Sequence, residues 1–582
     1  MHRHLYIFVF LVFAVTATQP LAQAPSPTSV VDAQNVAPED IRGVPAIAVD
    51  YRSNIRTLPD LGRVGVDMTD QKSLTLNEAL ALALENNLDI EVTRKNVRIA
   101  KYDLDGARGV FQPRLAGQSY YESSALPNIN FFSPTTRLTN GDSFIGNSGI
   151  QAYIPKFGTS YSVTMNNQRF TTDNPLTVIS PQYNSSLSFN LTQPLFRGRK
   201  FDQGRRAIEI AKRNISLTDT QFKQRSIEVV ANVQRAYWDL TYALRNLQVQ
   251  RDSVRDAKSQ LEHNRRLVDE GQLAPIDIVA AETQVANFEQ AVYDALNGVN
   301  LAENSLKNLI SPDRNNPIWS ESLTPVDPVE LSVPITTLTE AIDTAIQNRP
   351  ELEINKTQKE INAIDQRFFR EQKKPQIDLI ASYSSSGVGG SLNPNSSNPL
   401  LRGCAEDPTT PECVAAAQAL QALLQNVGGG GTAVSDIFRN KYPTYRVGLQ
   451  FNIPLFGDKS SRAQYGRSLV EGERLETQRE QAEQTIQVEV RNALQAIRTS
   501  EGRLRAAAVA RENTAKQYES EQRKLDSGQS DIYKVLERQT ALAAAKSNEL
   551  KARTDLNKAI ADLQRATGNS LRANNIEPKL EK

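Results

Sequence analysis

The stretch Leu76–Tyr121, LNEALALALENNLDIEVTRKNVRIAKYDLDGARGVFQPRLAGQSYY, returns 262 residues further along the chain without a gap. Leu76, Glu78 and Ala79 match Leu338, Glu340 and Ala341; Ala83 and Asn86 match Ala345 and Asn348; Pro113 matches Pro375 and Tyr121 matches Tyr383. The chain therefore reads as two copies of one unit. A repeat of this length argues for one continuous architecture rather than the three or four domains that 582 residues would otherwise suggest.

Each copy has the same internal order. Thr75 followed by Glu78 has capping-box spacing, so a helix is expected from Leu76, running to Pro113, where a backbone donor is lost. Beyond Pro113 the pattern changes to period two over Leu115–Ser123, Ser148–Ile154, Thr159–Phe170 and Tyr183–Gln193. Leu187, Phe189 and Leu191 fall on one face, Ser188 and Asn190 on the other. The second copy repeats this with Ile377, Leu379 and Ala381, then Val447, Leu449 and Phe451. Matched prolines, Pro194 and Pro454, close the strands.

A heptad follows: Val233, Leu240, Leu247, Val254, Leu261 and Val268. Its counterpart is Val490, Ile497, Leu504, Arg511, Tyr518 and Leu525, and such a 3.5-residue repeat implies left-handed supercoiling. Gly271-Gln272 and Gly528-Gln529 interrupt both runs. Return helices carry Ile278, Val285, Val292, Val299 and Leu306 in one copy, and Val535, Leu542, Leu556 and Leu563 in the other. Each copy thus holds a helical hairpin tipped by Gly-Gln. About 70 residues from Arg199 to Val268 would reach about 105 Å, nearly the summed length of the two shorter helices of a copy.

Composition narrows the function. Lys plus Arg (67) nearly cancels Asp plus Glu (66), which offers no footprint for nucleic acid. Residues 1–24 have the three parts of a secretory signal: Arg3, an apolar run over Leu5–Val15, and Ala22-Gln23-Ala24. In an exported chain the two cysteines, Cys404 and Cys413, are expected to form a disulfide. After the signal a single histidine remains, His263 on a helix, so a catalytic triad or a histidine-rich metal site lacks parts; no enzyme activity, cofactor or metal is expected.

Two strands per copy give about four per chain, too few to close a barrel, and open strand edges are not tolerated in lipid. Closure must then come from other subunits. In their order and duplication, the Leu-x-Glu-Ala helix starts, the Pro-bounded strands, Gln193-Pro194-Leu195-Phe196 and the Gly-marked hairpins resemble the TolC-like outer-membrane efflux proteins over about residues 74–568.

The resemblance implies a mostly α fold with a transmembrane β part. A homotrimer would form an outer-membrane β-barrel of about 12 strands, continued by a long periplasmic α-helical barrel. It further implies partnership with a periplasmic adaptor, an inner-membrane transporter and outer-membrane lipid, as the exit duct of a tripartite efflux pump or a type I secretion system. The alternative is a non-conducting coiled-coil scaffold of the cell envelope. Ser148–Phe170 departs from the family pattern, as either a loop hairpin or two added strands per subunit.

By the same resemblance Asp277, Lys534 and Glu537 would line the periplasmic entrance, with Lys534 standing where an acid is expected. Gly271, Gln272, Gly528 and Gln529 would be hairpin tips that dock the adaptor, and Pro113, Pro194, Pro375 and Pro454 mark helix–strand junctions. The expected segments are a signal peptide (1–24), an extended N-terminal segment (25–72), a first repeat (73–312), a linker (313–335), a second repeat (336–568) and a C-terminal tail (569–582). Between Gly387 and Tyr442 a Gly-, Ser- and Asn-rich insertion reads as a long extracellular loop with a short helix over Val414–Leu424. Its run Gly428–Gly431 lacks the Lys-Ser/Thr ending of a phosphate loop and reads as flexible.

Overall fold

The computed structural model describes residues 62–130, 133–329, 333, 335–394, 409–455 and 457–577. The signal sequence, Cys404 and most of the N-terminal segment lie outside them.

The capping boxes form in both copies. Thr75 accepts from the Glu78 amide (3.2 Å) while Glu78 accepts from the Thr75 amide (2.9 Å), and Thr337 and Glu340 repeat the exchange. The helix expected to run unbroken to Pro113 is instead two, α1 (Leu76–Asn86) and α2 (Leu88–Arg108). The cause is Asn87, whose side-chain oxygen accepts from the amides of Asp89 and Ile90 and starts a new helix. Its amide nitrogen also donates to the Leu309 carbonyl (3.0 Å), fastening the break to the end of the return helix. In the second copy α5 (Leu338–Asn348) and α6 (Pro350–Gln372) break at the matching Arg349, with proline at the first helical position.

A strand β1 (Asp67–Leu74) precedes α1 and pairs in parallel with β6 (Glu321–Pro325), which lies between the two repeats. The main sheet is an antiparallel run of six strands: β2 (Arg114–Asn130), β3 (Ser133–Ile154), β4 (Thr159–Thr172), β5 (Ile179–Pro194), β7 (Gln376–Leu392) and β8 (Tyr442–Asn452), in that spatial order. Among the described residues the main sheet thus has six strands, where about four per chain were expected. The extra pair is β3–β4. The segment Ser148–Phe170 is a full-length hairpin of the sheet, paired without interruption from Ile154–Thr159 up to Gly141–Thr172.

The sheet hands over to the helices at the matched prolines. Pro113 directly precedes β2, Pro375 precedes β7, Pro194 ends β5 and Pro454 follows β8. The long helices α3 (Gln203–Asp269) and α9 (Lys459–Asp526) then fold back into α4 (Pro275–Ile310) and α10 (Ile532–Ala566). With 67 residues, α3 is about 100 Å long. The heptad positions are the packed ones: Val233, Leu240, Val299, Leu306 and Val490 are fully buried, with Ile497, Leu556 and Leu563 close behind. Two large apolar clusters join α1, α3, α4 and β6, and α5, α9 and α10, midway along α3 and α9 and at the ends of α4 and α10 that face away from the tips. Two small clusters, around Phe288 and around Ile532, hold the tip ends.

Among its described residues, the insertion in the second repeat is helical in part. It contains α7 (Pro411–Val427) and α8 (Gly430–Phe438), and β7 reaches Leu392. The glycines let α8 approach the sheet. A Cβ on Gly387 would lie 1.8 Å from the Ala433 carbonyl oxygen, and one on Gly389 would lie 2.3 Å from that of Gly429.

Candidate functional site

Register divides the sheet into two chemically distinct faces. Residues opposite one another in an antiparallel pair share a face. Leu115, Ile150, Val163, Phe189, Tyr383 and Tyr445 thus form one row across all six strands, with Ala152, Tyr161, Leu191, Ala381 and Val447 in the adjoining same-face row. Along β8 this face is bare, with Val447 76% exposed and Phe451 72%, while further up the same face α8 lies over β5 and β7, where the Ser385 hydroxyl donates to the Ile437 carbonyl (2.8 Å). One residue along, the row is Ala116, Gly149, Thr164, Ser188, Ser384 and Thr444, and the Ser188 and Ser384 hydroxyls meet at 2.9 Å. Leu187, Phe189, Leu191, Val447, Leu449 and Phe451 share the apolar face, as expected from alternation, while Ser188 and Asn190 lie opposite. Strands β2 and β8 are the sheet's edges.

The two hairpin tips are built alike. Gly271 and Gly528 have φ of +73° and +71°, where a side chain would strain the backbone. The next residues donate across the turn, Gln272 to the Leu267 carbonyl and Gln529 to that of Lys524, each at 2.8 Å. Asp277 sits one turn into α4, and its carboxylate accepts from the Ala274 amide (3.1 Å), so it serves as a cap of its own helix. Lys534 pairs with Asp531 (3.1 Å), whose carboxyl lies below its ordinary range because the Lys534 amide and ammonium donate to it. Glu537 is exposed and lines an open groove of about 470 Å³ between α4 and α10, beside Ile276, Val279, Tyr533 and Thr540. Of the three residues assigned to the entrance, Glu537 alone lines this groove.

Few polar links hold the hairpins together near the tips. His263 Nε2 lies 3.0 Å from Asp526 Oδ1, and Gln284 donates to the Thr540 hydroxyl at 2.8 Å. Further away Arg235 pairs with Asp562, and Lys558 with Asp239. Cys413 is buried and disulfide-bonded.

A buried charge cluster went unread in the sequence. Arg63 Nη1 pairs with Glu303 at 2.6 Å, and the other Glu303 oxygen accepts from the Leu323 amide (2.8 Å). Lys307 donates to the carbonyls of Glu321 (2.6 Å) and Trp319 (3.0 Å) and lies 3.6 Å from Glu303. Burial pulls the Lys307 ammonium below its ordinary value, opposed by Glu303. The signal was Glu303 itself, a charge three residues before Leu306 and four after Val299 on the buried stripe. Beside the cluster the Tyr237 hydroxyl donates to the Leu74 carbonyl (3.0 Å) and to Asp327, which accepts from the Leu76 amide. Together these contacts tie β1 and β6 to the helices.

The sequence pattern of the outer membrane efflux protein family fits residues 149–311 and 341–569, about two thirds of the chain. The chain belongs to the outer membrane efflux protein family. It is accordingly a transport protein of the outer membrane that extends into the periplasm, and not an enzyme. Solved structures of the same fold include the CmeC outer membrane channel of Campylobacter jejuni, at 16% identity and TM-score 0.58, matching over 85% of this chain and 86% of that one. The open state of the MtrE outer membrane channel of Neisseria gonorrhoeae matches at 15% identity and TM-score 0.56, over 89% and 94%. VceC, an outer membrane protein of Vibrio cholerae, matches at 12% identity and TM-score 0.57, over 85% and 96%. No curated protein matches the sequence. Among the described residues no helix of this efflux protein is long and apolar enough to cross a membrane.

Proposed function

We propose that this efflux protein is the exit duct of a tripartite efflux pump or a type I secretion system, working as a homotrimer. The observation that carries the reading is the sheet: one face apolar and bare outside the part that α8 covers, the other lined with hydroxyls and amides, and both edges unpaired. In water the bare face would be an aggregation liability, and in lipid the open edges would leave backbone groups without partners. Closing the edges against further copies resolves both, with the apolar face toward lipid and the polar face toward a water-filled lumen. Strand directions permit it, since β2 and β8 run antiparallel and β8 of one copy can pair with β2 of the next.

The same closure arranges the long hairpins around the axis as an α-helical barrel through the periplasm, where the apolar-rimmed groove at the tips offers an adaptor its docking surface. The adaptor in turn links the duct to an inner-membrane transporter. Planar-bilayer recording of the purified protein, with its mass measured by light scattering, tests the reading. A particle of three chains giving small discrete conductance steps is the expected result; a monomer without conductance contradicts it. Glu537→Ala should change the conductance or the cation preference of the channel, because a charge repeated around an entrance focuses ions.

A further inference from the structure

The six-stranded sheet alters what the membrane part of such a duct can pass. Strands β3 and β4 are the departure from a unit of two strands per repeat, and three observations place them within the barrel wall rather than in a surface loop. They pair along their length with β2 and β5. Their apolar residues, Ile150 and Val163 in one row and Ala152 and Tyr161 in the next, complete the rows of the other strands. Their connecting turn is also docked at the helix end of the sheet. There the Phe157 carbonyl accepts from the Gln193 side-chain Nε2 (3.2 Å), and Gly158 approaches the Gly198 carbonyl so closely that a Cβ would stand 2.8 Å from it. Toward the helix end the hairpin is apolar outward, with Ile150, Ala152, Tyr161 and Val163, and charged residues, Asp142 and Arg169, enter that face only toward the far end, so a hairpin seated at the rim spans the same height as its neighbours.

Resting on the trimeric reading above, we propose that the outer-membrane part of this protein is an 18-stranded barrel with a lumen of porin width. Barrel diameter grows roughly in proportion to strand number, so the lumen is roughly 1.5 times as wide as one built from four strands per copy. The polar face adds little selectivity. Beside Gln118, Asn147, Asn166, Ser186 and Ser386 and similar rows, the charged register positions on it are Arg114, Glu122, Arg137, Asp378 and Arg446, of both signs. A wide lumen of hydroxyls and amides accepts bulky hydrated cargo irrespective of its charge. The size and charge of exported cargo are then decided at the periplasmic tips and not at the membrane.

The test uses polyethylene glycols of graded size, added only on the extracellular side of single channels in a bilayer, so that they probe the barrel before the tips. The full-length protein is compared with a variant in which a two-residue turn joins β2 directly to β5, removing β3 and β4. Light scattering on both reports whether three chains assemble, and a mass other than three chains overturns the trimeric reading itself. Among trimers, the expected result is an exclusion radius larger by roughly 1.5-fold in the full-length protein. Equal radii would overturn the 18-stranded barrel while leaving the trimeric duct standing. Should the shortened variant fail to assemble, single-particle imaging of the full-length protein decides between 18 and 12 strands.

Discussion

At the scale of single residues, the groups that matter most to stability are polar and buried. Tyr237 is fully enclosed, and burial together with Asp327 raises its hydroxyl above the ordinary value of 10.0. In the unfolded chain the same tyrosine ionises near that ordinary value. Between the two values only the unfolded chain releases the proton, so the folded state loses stability as pH climbs above 10. Tyr237→Phe should lower stability by about 1–2 kcal/mol at pH 8, through the lost hydrogen bonds. Its further loss between pH 9.5 and 11 should be smaller than that of the unsubstituted protein. Denaturant titrations at the two pH values check this, and parallel losses would count against it.

Glu303 is a harsher case. Replacing it with Ala leaves Arg63 and Lys307 buried without their counter-charge, a change that costs about 3–5 kcal/mol. Because Arg63 stands just before β1, the damage should appear first at the N-terminal strand. Limited proteolysis of Glu303→Ala should cut within residues 62–74 under conditions that leave the long helices whole; an unchanged digest would show that the cluster does not hold β1.

At the scale of elements, much was legible. Heptad spacing located α3, α4, α9 and α10, and the Gly-Gln dipeptides located both tips, because a single physical demand, a buried stripe or a positive φ, selects residues of obvious type. The less legible parts involve residues that serve two purposes. Asn87 is tolerated inside a helix yet also starts one, and only its second bond, to Leu309, shows which it does. The β3–β4 hairpin carries Gly141, Gly146 and Gly149 among its alternating residues, which weakens the period-two signal. Of the candidate entrance residues, Asp277 also caps its own helix, a role that the sequence alone does not separate from the entrance, since the third position of a helix favours a carboxylate.

The run Gly428–Gly431 reads as flexible in sequence, yet it leads into α8, which lies against the sheet because Gly387 and Gly389 carry no side chains. Gly387→Val should therefore lift α8, since its Cβ would meet the Ala433 carbonyl oxygen at 1.8 Å. Hydrogen exchange should rise over residues 430–438 and remain slow in β5 and β7; slow exchange throughout would mean that α8 has another anchor.

At the scale of the whole molecule, the two hairpins are levers held far from their tips. The large apolar clusters grip α3 and α9 at mid-length, at the level of β1, β6, α1 and α5, whereas the tips are tens of ångströms away and rest on small clusters and a few polar links. Tip position is thus governed by weak forces. The His263–Asp526 and Gln284–Thr540 contacts are partly or fully exposed, so together they contribute about 1 kcal/mol per copy. If three copies move as one, their removal shifts the balance between closed and open entrances by about 3 kcal/mol, or roughly 100-fold. The variant carrying His263→Ala and Thr540→Ala should accordingly spend far more time at high conductance, with its mass and thermal midpoint little changed. Asp562→Ala, which breaks the Arg235 pair far from the tips, serves as the control and should leave conductance alone. Equal opening in both variants would mean that the whole shaft loosens, and no opening in either would place the restraint between neighbouring copies.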